Sequence, residues 1–155
     1  MGPGITTIKY YTVTPALDTN AYAAADHMGA LNTITDVGDS YKNVGLLQVS
    51  LLDKAKQNSP LDILFFRTSI AIASSDNAAL NITDALMATN YVGHVSILST
   101  DYVDLSANSV ACKVFSGEGL RLEMDSNDLY CILRCGGAPT YAASDLVIKL
   151  AFKSG

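Results

Sequence analysis

The clearest pattern of apolar and polar positions along the chain has a period of two. Residues 119–125 and 145–153 place a large apolar side chain at every second position. Because successive side chains of a β-strand point to opposite faces of a sheet, each segment predicts a strand with one buried and one solvent-facing side. Antiparallel sheets typically show this pattern. The side chains predicted to face inward are Leu120, Leu122, Met124, Leu146, Ile148, Leu150 and Phe152.

Seven further segments are rich in aliphatic, β-branched or aromatic residues and predict strands with a less regular alternation. These segments are residues 6–14, 30–35, 44–53, 61–70, 91–99, 109–115 and 129–135. A short helix is favoured only by residues 82–89, with Asn81 as a candidate N-cap. We expect this helix, or a loop in its place, to cross from one sheet to the other.

About nine strands with tight turns and one short helix predict an all-β fold. The expected architecture is an antiparallel β-sandwich of jelly-roll or Greek-key type. A chain of 155 residues has the size of a single domain. We therefore expect one sandwich domain over residues 8–155 and an N-terminal arm over residues 1–7. The acidic residues agree, since only Glu118 and Glu123 of the fifteen are glutamates and aspartate favours turns and caps.

Composition and charge exclude some classes of function. The formal net charge is −5, and the ten lysines and arginines occur singly, so no basic stripe predicts binding to nucleic acid. No apolar run approaches the ~20 residues of a membrane span, and residues 1–4 carry no signal-peptide pattern. Charged residues make up only 16%, against a usual ~25%. We expect part of this surface to be buried against other chains, the alternative being a compact monomer.

Metal binding and catalysis are not predicted. Cys131 and Cys135 are four residues apart, which is roughly 13 Å along a strand, whereas two zinc ligands lie about 2.3 Å from one ion. We interpret both thiols, with Cys112, as reduced apolar core residues. The two histidines, His27 and His94, have no recognisable nucleophile motif beside them. The sequence therefore predicts no enzyme activity and no cofactor.

The segment "DTNAYAAADHMGAL" (18–31) concentrates groups that could act as ligands, or as an acid and a base. It lies between two predicted strands and offers no partner acid or second histidine at a recognisable spacing. We interpret Asp18 and Asp26 as side chains that hold backbone N–H groups at two turns. Tyr22 is expected to pack on the end of the sandwich.

Two stretches, "DTNAYAAADHMG" and "GAPTYAASDLVIKLAF", resemble small virion proteins of tailed bacteriophages, of the capsid decoration or cement type. Those proteins carry a D-x-x-x-Y-x-x-G-D-x-x-G pattern near the start and a Thr-Tyr element before the last strand. Here Asp18, Tyr22, Asp26 and Gly29 match the pattern, and Ala25 stands where glycine is usual. The segment "NSVACKVF" before a glycine-containing turn is also similar.

The resemblance implies a β-sandwich that binds and stabilises an assembled phage head, and it supplies no catalytic residue to carry over to this chain. It implies the virion as the location, after assembly in the host cytoplasm, and the major capsid protein or other virion proteins as partners. We expect a homo-oligomer, with a trimer favoured, and candidate interface residues at Pro3, Ile5, Tyr10 and Tyr11. The alternatives are a carbohydrate- or receptor-binding module of a virion fibre or tail, and a small jelly-roll enzyme.

Overall fold

The computed structural model describes residues 7–38 and 43–154. It contains ten strands, one α-helix and one 3-10 turn in these ranges, so the predicted all-β fold is confirmed. The strands are β1 (Thr7–Val13), β2 (His27–Ile34), β3 (Asn43–Asp53), β4 (Leu61–Phe66), β5 (Tyr91–Ile97), β6 (Tyr102–Asp104), β7 (Ser109–Val114), β8 (Leu120–Glu123), β9 (Leu129–Cys135) and β10 (Leu146–Ser154). The helix α1 covers Asp84–Asn90 and the 3-10 turn covers Ser99–Asp101.

The strands form two antiparallel sheets in jelly-roll order. The first sheet runs β1-β10-β3-β7-β6, with β8 also paired to β3, and the second runs β2-β9-β4-β5. The strand pairs are nested: β1 pairs with β10, β2 with β9, β3 with β7 and β8, and β4 with β5. Such nesting is what a long antiparallel hairpin gives when it is rolled up into two packed sheets.

The main hydrophobic core lies between the two sheets. The alternating segments contribute as predicted: Leu122, Leu146, Ile148, Leu150 and Phe152 are all buried in it. On the opposite side, Arg121, Glu123 and Lys149 are exposed, whereas Val147 is half-buried and Ala151 is buried. Period-two alternation therefore reports the burial of these strands correctly.

A second, smaller core covers part of the outer face of the second sheet. Residues 67–90, called here the covering segment, pack Ile70, Leu86 and Met87 on the outward side chains Phe66 and Ile132. Helix α1 begins after the N-cap Thr83, whose hydroxyl accepts a hydrogen bond from Leu86 N at 3.3 Å. The helix connects β4 with β5 of the same sheet, so the predicted crossing between sheets is wrong.

Several elements differ from the sequence prediction in their bounds or were missed. The second strand begins at His27, because backbone hydrogen bonds of residues 27 and 28 continue the pairing with β9. The short strand β6 was not predicted, since three residues are too few to show alternation. Thr7, assigned to the arm, is paired with Ser154 at the start of β1. Residues 1–6 of the predicted arm lie outside the described residues.

Within the described ranges, no helix is both long and apolar enough to cross a lipid bilayer.

Candidate functional site

Asp18 and Asp26 hold two turns of the 18–29 segment. Asp18 Oδ1 accepts hydrogen bonds from the backbone N–H of Asn20 at 2.6 Å and from its side-chain amide at 2.8 Å. The bond from the Asn20 backbone lowers the pKa of Asp18 below its usual range. Asp26 Oδ2 accepts from the backbone N–H of Ala23 at 2.7 Å. Both carboxylates thus act on the backbone of their own segment.

Tyr22 connects this segment to the covering segment. Its side chain is only 2% exposed, and burial raises the pKa of its hydroxyl above the usual value. The hydroxyl accepts a hydrogen bond from Asp18 N at 2.7 Å and donates one to Asp76 Oδ1 at 2.8 Å. The same Asp76 oxygen accepts from Gly29 N at 2.8 Å. Asp76 therefore binds the 18–29 segment to the covering segment. The sequence pattern did not indicate this role of Asp76.

Backbone hydrogen bonds fix the segment to the end of the sandwich. Tyr22 N donates to Pro139 O at 2.9 Å, and Ala25 N donates to Cys135 O at 2.8 Å. Leu80 N donates to Ala25 O at 2.8 Å. Ala25 and Gly29 both have a φ of +77°, which glycine adopts freely and alanine does not. The 18–29 segment thus joins the end of β9, the loop that follows it and the covering segment, and its polar groups hold that junction.

Neither histidine is hydrogen-bonded, among the described contacts, to a carboxylate or thiol that could act with it in catalysis. His27 is buried, with Nδ1 3.2 Å from Ser74 O, and its Nε2 has no hydrogen-bond partner within residues 7–38 and 43–154. His94 Nδ1 contacts the hydroxyl of Tyr91. Among the described contacts neither ring bonds to a carboxylate or thiol, so these contacts assign no catalytic role to either histidine.

The thiols occupy two kinds of environment. Cys131 and Cys135 face the core from β9, and burial raises the pKa of the Cys131 thiol to about 12. Cys112 is exposed, so its assignment to the core was wrong: it lies on the outer side of β7. No group of three or more His, Cys, Asp or Glu side chains within the described part of the chain has an arrangement suited to a metal ion.

The outer surface of the first sheet is unusually apolar. We call it the first-sheet face and define it by the outward positions of five paired strands. Strand register places these side chains in three rows: Val103, Val110, Leu52 and Val147; then Cys112, Ser50, Lys149 and Thr12; then Val114, Gln48, Ala151 and Tyr10. A shallow groove of about 570 Å³ runs along the first two rows.

Strand β7 shows the most unusual feature of the first-sheet face. Its more apolar side, Val110, Cys112 and Val114, points outward, and Val114 is 74% exposed. Ser109 and Ala111 point inward and are buried. A half-buried strand normally turns its apolar side to the core. The apolar side chains of β7 are therefore exposed to water, whereas the small side chains of the same strand face the core.

The candidate interface residues of the first strand divide between the two sides of the sheet. Tyr10 is 78% exposed on the first-sheet face. Tyr11 points inward, where its ring packs edge-on against Phe152 at 5.7 Å and its hydroxyl donates to Asp36 O at 2.7 Å. Tyr11 is therefore a packing residue rather than part of an exposed interface. Pro3 and Ile5 lie outside the described residues.

A second concave site lies on the outer face of the second sheet, beside helix α1. This second-sheet groove has a volume of about 220 Å³ and is lined by Asp62, Leu64, Met87, Tyr91, His94 and Arg134. Asp62 accepts hydrogen bonds from Ser96 Oγ at 2.6 Å and from Arg134 Nη1 at 3.2 Å. The groove therefore combines an ion pair, two aromatic rings and two apolar side chains.

A scan against protein-family models and a search of curated protein sequences both returned no match to this chain. A functional assignment accordingly rests on the sequence patterns, the fold and the geometry of these surfaces.

Proposed function

We propose that this chain is a structural protein of a bacteriophage virion, of the capsid decoration or cement type, which binds the assembled head through the first-sheet face. Jelly-roll sandwiches occur in capsid and lectin domains, but a fold alone does not decide a function. The proposal rests on the resemblance of the 18–29 segment and of the 137–152 stretch, and on the character of the exposed surface.

The inversion of β7 is the observation that carries the proposal. Exposing Val110 and Val114 has no benefit for an isolated domain, because each loses the free energy of burial, roughly 25 cal/mol per Å² of apolar surface. Adjacent exposed positions Tyr10 and Val103 extend the same surface. Contiguous apolar patches of this kind mark contact sites between proteins. A cement protein needs such a surface, since it binds by area and shape.

The distribution of charge favours the same surface. The chain carries a formal net charge of −5, yet the three rows named above include a single charged residue, Lys149. Lys149 forms no ion pair with another described residue, whereas Asp101, at the rim of the groove, is paired with Lys113 at 2.8 Å. Among the described residues, Asp101 is thus the one acidic residue that lines this groove, and its charge is balanced by Lys113, so a neighbouring subunit meets little repulsion there. A carboxylate opposite Lys149 would complete the contact.

Co-sedimentation with heads of the phage that encodes the chain tests the proposal. We expect the unmodified protein to sediment with heads, and Val114→Asp and Val103→Asp to weaken that binding at least about tenfold, because each buries an unpaired charge in the contact. Thr33→Asp is the matched control, since Thr33 is an exposed position on the outer face of the second sheet. Light scattering of the free protein, whose chain mass is 16.4 kDa, tests the favoured trimer separately.

The proposal fails if the protein does not sediment with heads, or if the two valine variants bind as well as the Thr33 control. Circular dichroism of each variant shows whether the fold is intact, so a loss of binding through unfolding is recognised as such.

A further inference from the structure

The second-sheet groove is built from two rows of side chains on three paired strands. Strand register places Ser96, Asp62 and Arg134 side by side across β5, β4 and β9. His94 and Leu64 form the next row, two residues further along each strand and on the same side of the sheet. Because neighbouring strands lie about 4.8 Å apart, the two rows define a small, rigid floor, and Met87 of helix α1 also lines the groove.

One end of the groove offers both a hydrogen-bond acceptor and several donors. Asp62 is held by Ser96 and by Arg134, and the two charges of the ion pair cancel. A guanidinium has five N–H donors. Among the described residues, the hydrogen bond of Arg134 to Asp62 uses only Nη1. Its side chain is 40% exposed. The remaining donors of Arg134 and the lone pairs of Asp62 are thus available to a ligand that has neighbouring hydroxyl groups.

The other end of the groove is aromatic and held in place. The rings of Tyr91 and His94 are stacked, with centroids 6.1 Å apart and an angle of 30° between the planes. Tyr91 is fixed from behind by an edge-on contact with the buried ring of Phe66 at 6.3 Å. Leu64 and Met87 supply apolar surface beside these rings. This end therefore suits the C–H face of a ring-shaped ligand.

We propose that the second-sheet groove binds one neutral hexopyranose unit of a glycan. A pyranose has an apolar C–H face together with hydroxyl groups that both donate and accept, which matches an aromatic end opposite an Asp–Arg pair. The groove, with a volume of about 220 Å³, has room for one sugar ring. An anionic ligand is disfavoured, because Arg134 is already neutralised by Asp62.

This inference goes beyond the proposed function and does not depend on it. The groove lies on the outer face of the second sheet, on the opposite side of the sandwich from the first-sheet face. A chain bound to a head through the first sheet would leave the groove open to solution. Loss of head binding and loss of sugar binding are therefore separate results, obtained with different variants.

Titration of the full chain by ¹H–¹⁵N NMR with methyl glucosides, galactosides and mannosides tests the proposal. We expect at least one neutral hexoside to shift the amide signals of Tyr91, His94, Ser96 and Arg134. Arg134→Ala should weaken that binding about tenfold or more, as expected for loss of a charged donor. The matched control is Arg121→Ala, since Arg121 is an exposed residue of β8 in the first sheet. His94→Ala, also at an exposed position, provides a second variant if Arg134→Ala misfolds.

Three results would overturn the proposal. The first is an unchanged spectrum with every neutral hexoside. The second is a response of the same amides to inorganic phosphate or a sialoside but to no neutral hexoside, which would identify an anion site. The third is hexoside binding that Arg134→Ala and His94→Ala leave unaltered, which would place the sugar elsewhere.

Discussion

The hydroxyl of Tyr22 donates a hydrogen bond to Asp76 Oδ1 at 2.8 Å across 54 positions of sequence. The same oxygen accepts from the backbone N–H of Gly29 at 2.8 Å. One carboxylate oxygen thus fixes the start of β2 and the preceding turn at the same time. The covering segment, in which Asp76 lies, is bound to the end of the sandwich by this connection.

Removing the Tyr22 hydroxyl and removing the Asp76 carboxylate should both lower the free energy of unfolding, but by different amounts. Tyr22→Phe deletes one hydroxyl and should lower the free energy of unfolding by about 1–2 kcal/mol. Asp76→Ala leaves both the tyrosine hydroxyl and the Gly29 N–H without this acceptor, and should cost about 2–3 kcal/mol. Urea denaturation followed by circular dichroism measures both. The double variant should lose less than the sum of the two, and strict additivity would show that the hydrogen bond does not couple them.

A substitution at Ala25 is expected to raise the free energy of unfolding, whereas the substitutions at Tyr22 and Asp76 lower it. Its φ of +77° lies in the left-handed region, where a Cβ is strained. We expect Ala25→Gly to raise the free energy of unfolding by about 0.5–1 kcal/mol. Ala23→Gly is the control in the same loop: its φ is not positive, so the added chain entropy should lower stability. Equal effects of the two substitutions would contradict the assigned backbone strain.

Gly45 lies where a loop crosses β3 at close range. A Cβ at this position would overlap the backbone carbonyl of Glu118, so the backbone of one of the two segments would have to shift. We expect Gly45→Ala to cost about 2–4 kcal/mol. At Gly117, where φ is +63° and a Cβ would meet nothing within 4 Å, alanine should cost only about 1 kcal/mol of backbone strain. Thermal unfolding of the two variants, compared directly, separates a steric clash from a conformational preference.

The Asp101–Lys113 pair at the rim of the first-sheet face should make stability depend on acidity. The hydrogen bond from Lys113 at 2.8 Å and one from Leu98 N lower the pKa of Asp101 below its ordinary value of 3.8. A carboxyl group whose pKa is lower in the folded state than in the unfolded state stabilises the fold at a pH above its unfolded-state pKa. This contribution is lost as the pH falls through its folded-state pKa.

Asp101→Asn should accordingly flatten the loss of stability between about pH 5 and pH 3. Lys113→Gln should flatten it too, because Lys113 is the larger cause of the shift. Melting temperatures across this range provide the measurement. A slope as steep in Asp101→Asn as in the unmodified protein would show that other carboxyl groups account for the acid sensitivity.

The features that are local in sequence are the ones that could be predicted from it. Alternation in residues 145–153 identifies β10 and its buried side correctly, since Ile148, Leu150 and Phe152 are all in the core. The turn contacts of Asp18 and Asp26 also involve residues within three positions. Such contacts need no knowledge of the rest of the fold.

Features that depend on distant neighbours could not be predicted. Asp76 lies in a segment without periodic pattern, and its partners become visible only when that segment folds back on β2. Pairing with β3 sets which side of β7 faces the core: Ala111 opposes the buried Leu51, so Val110, Cys112 and Val114 must face outward. The register of β7 with β3 therefore determines which side of β7 is buried, although the apolar pattern of β7 alone favours the opposite side.

The nested pairing of the strands also has a consequence for biosynthesis. Strand β10 lies between β1 and β3, so the middle of the first sheet is synthesised after every other described strand. Pairing across such sequence separations is slow, and until it occurs β1 and β3 present open edges. Lys149 and Ala151 of β10 also belong to the middle of the first-sheet face. A nascent chain in which β10 is not yet paired therefore lacks the middle of the first-sheet face.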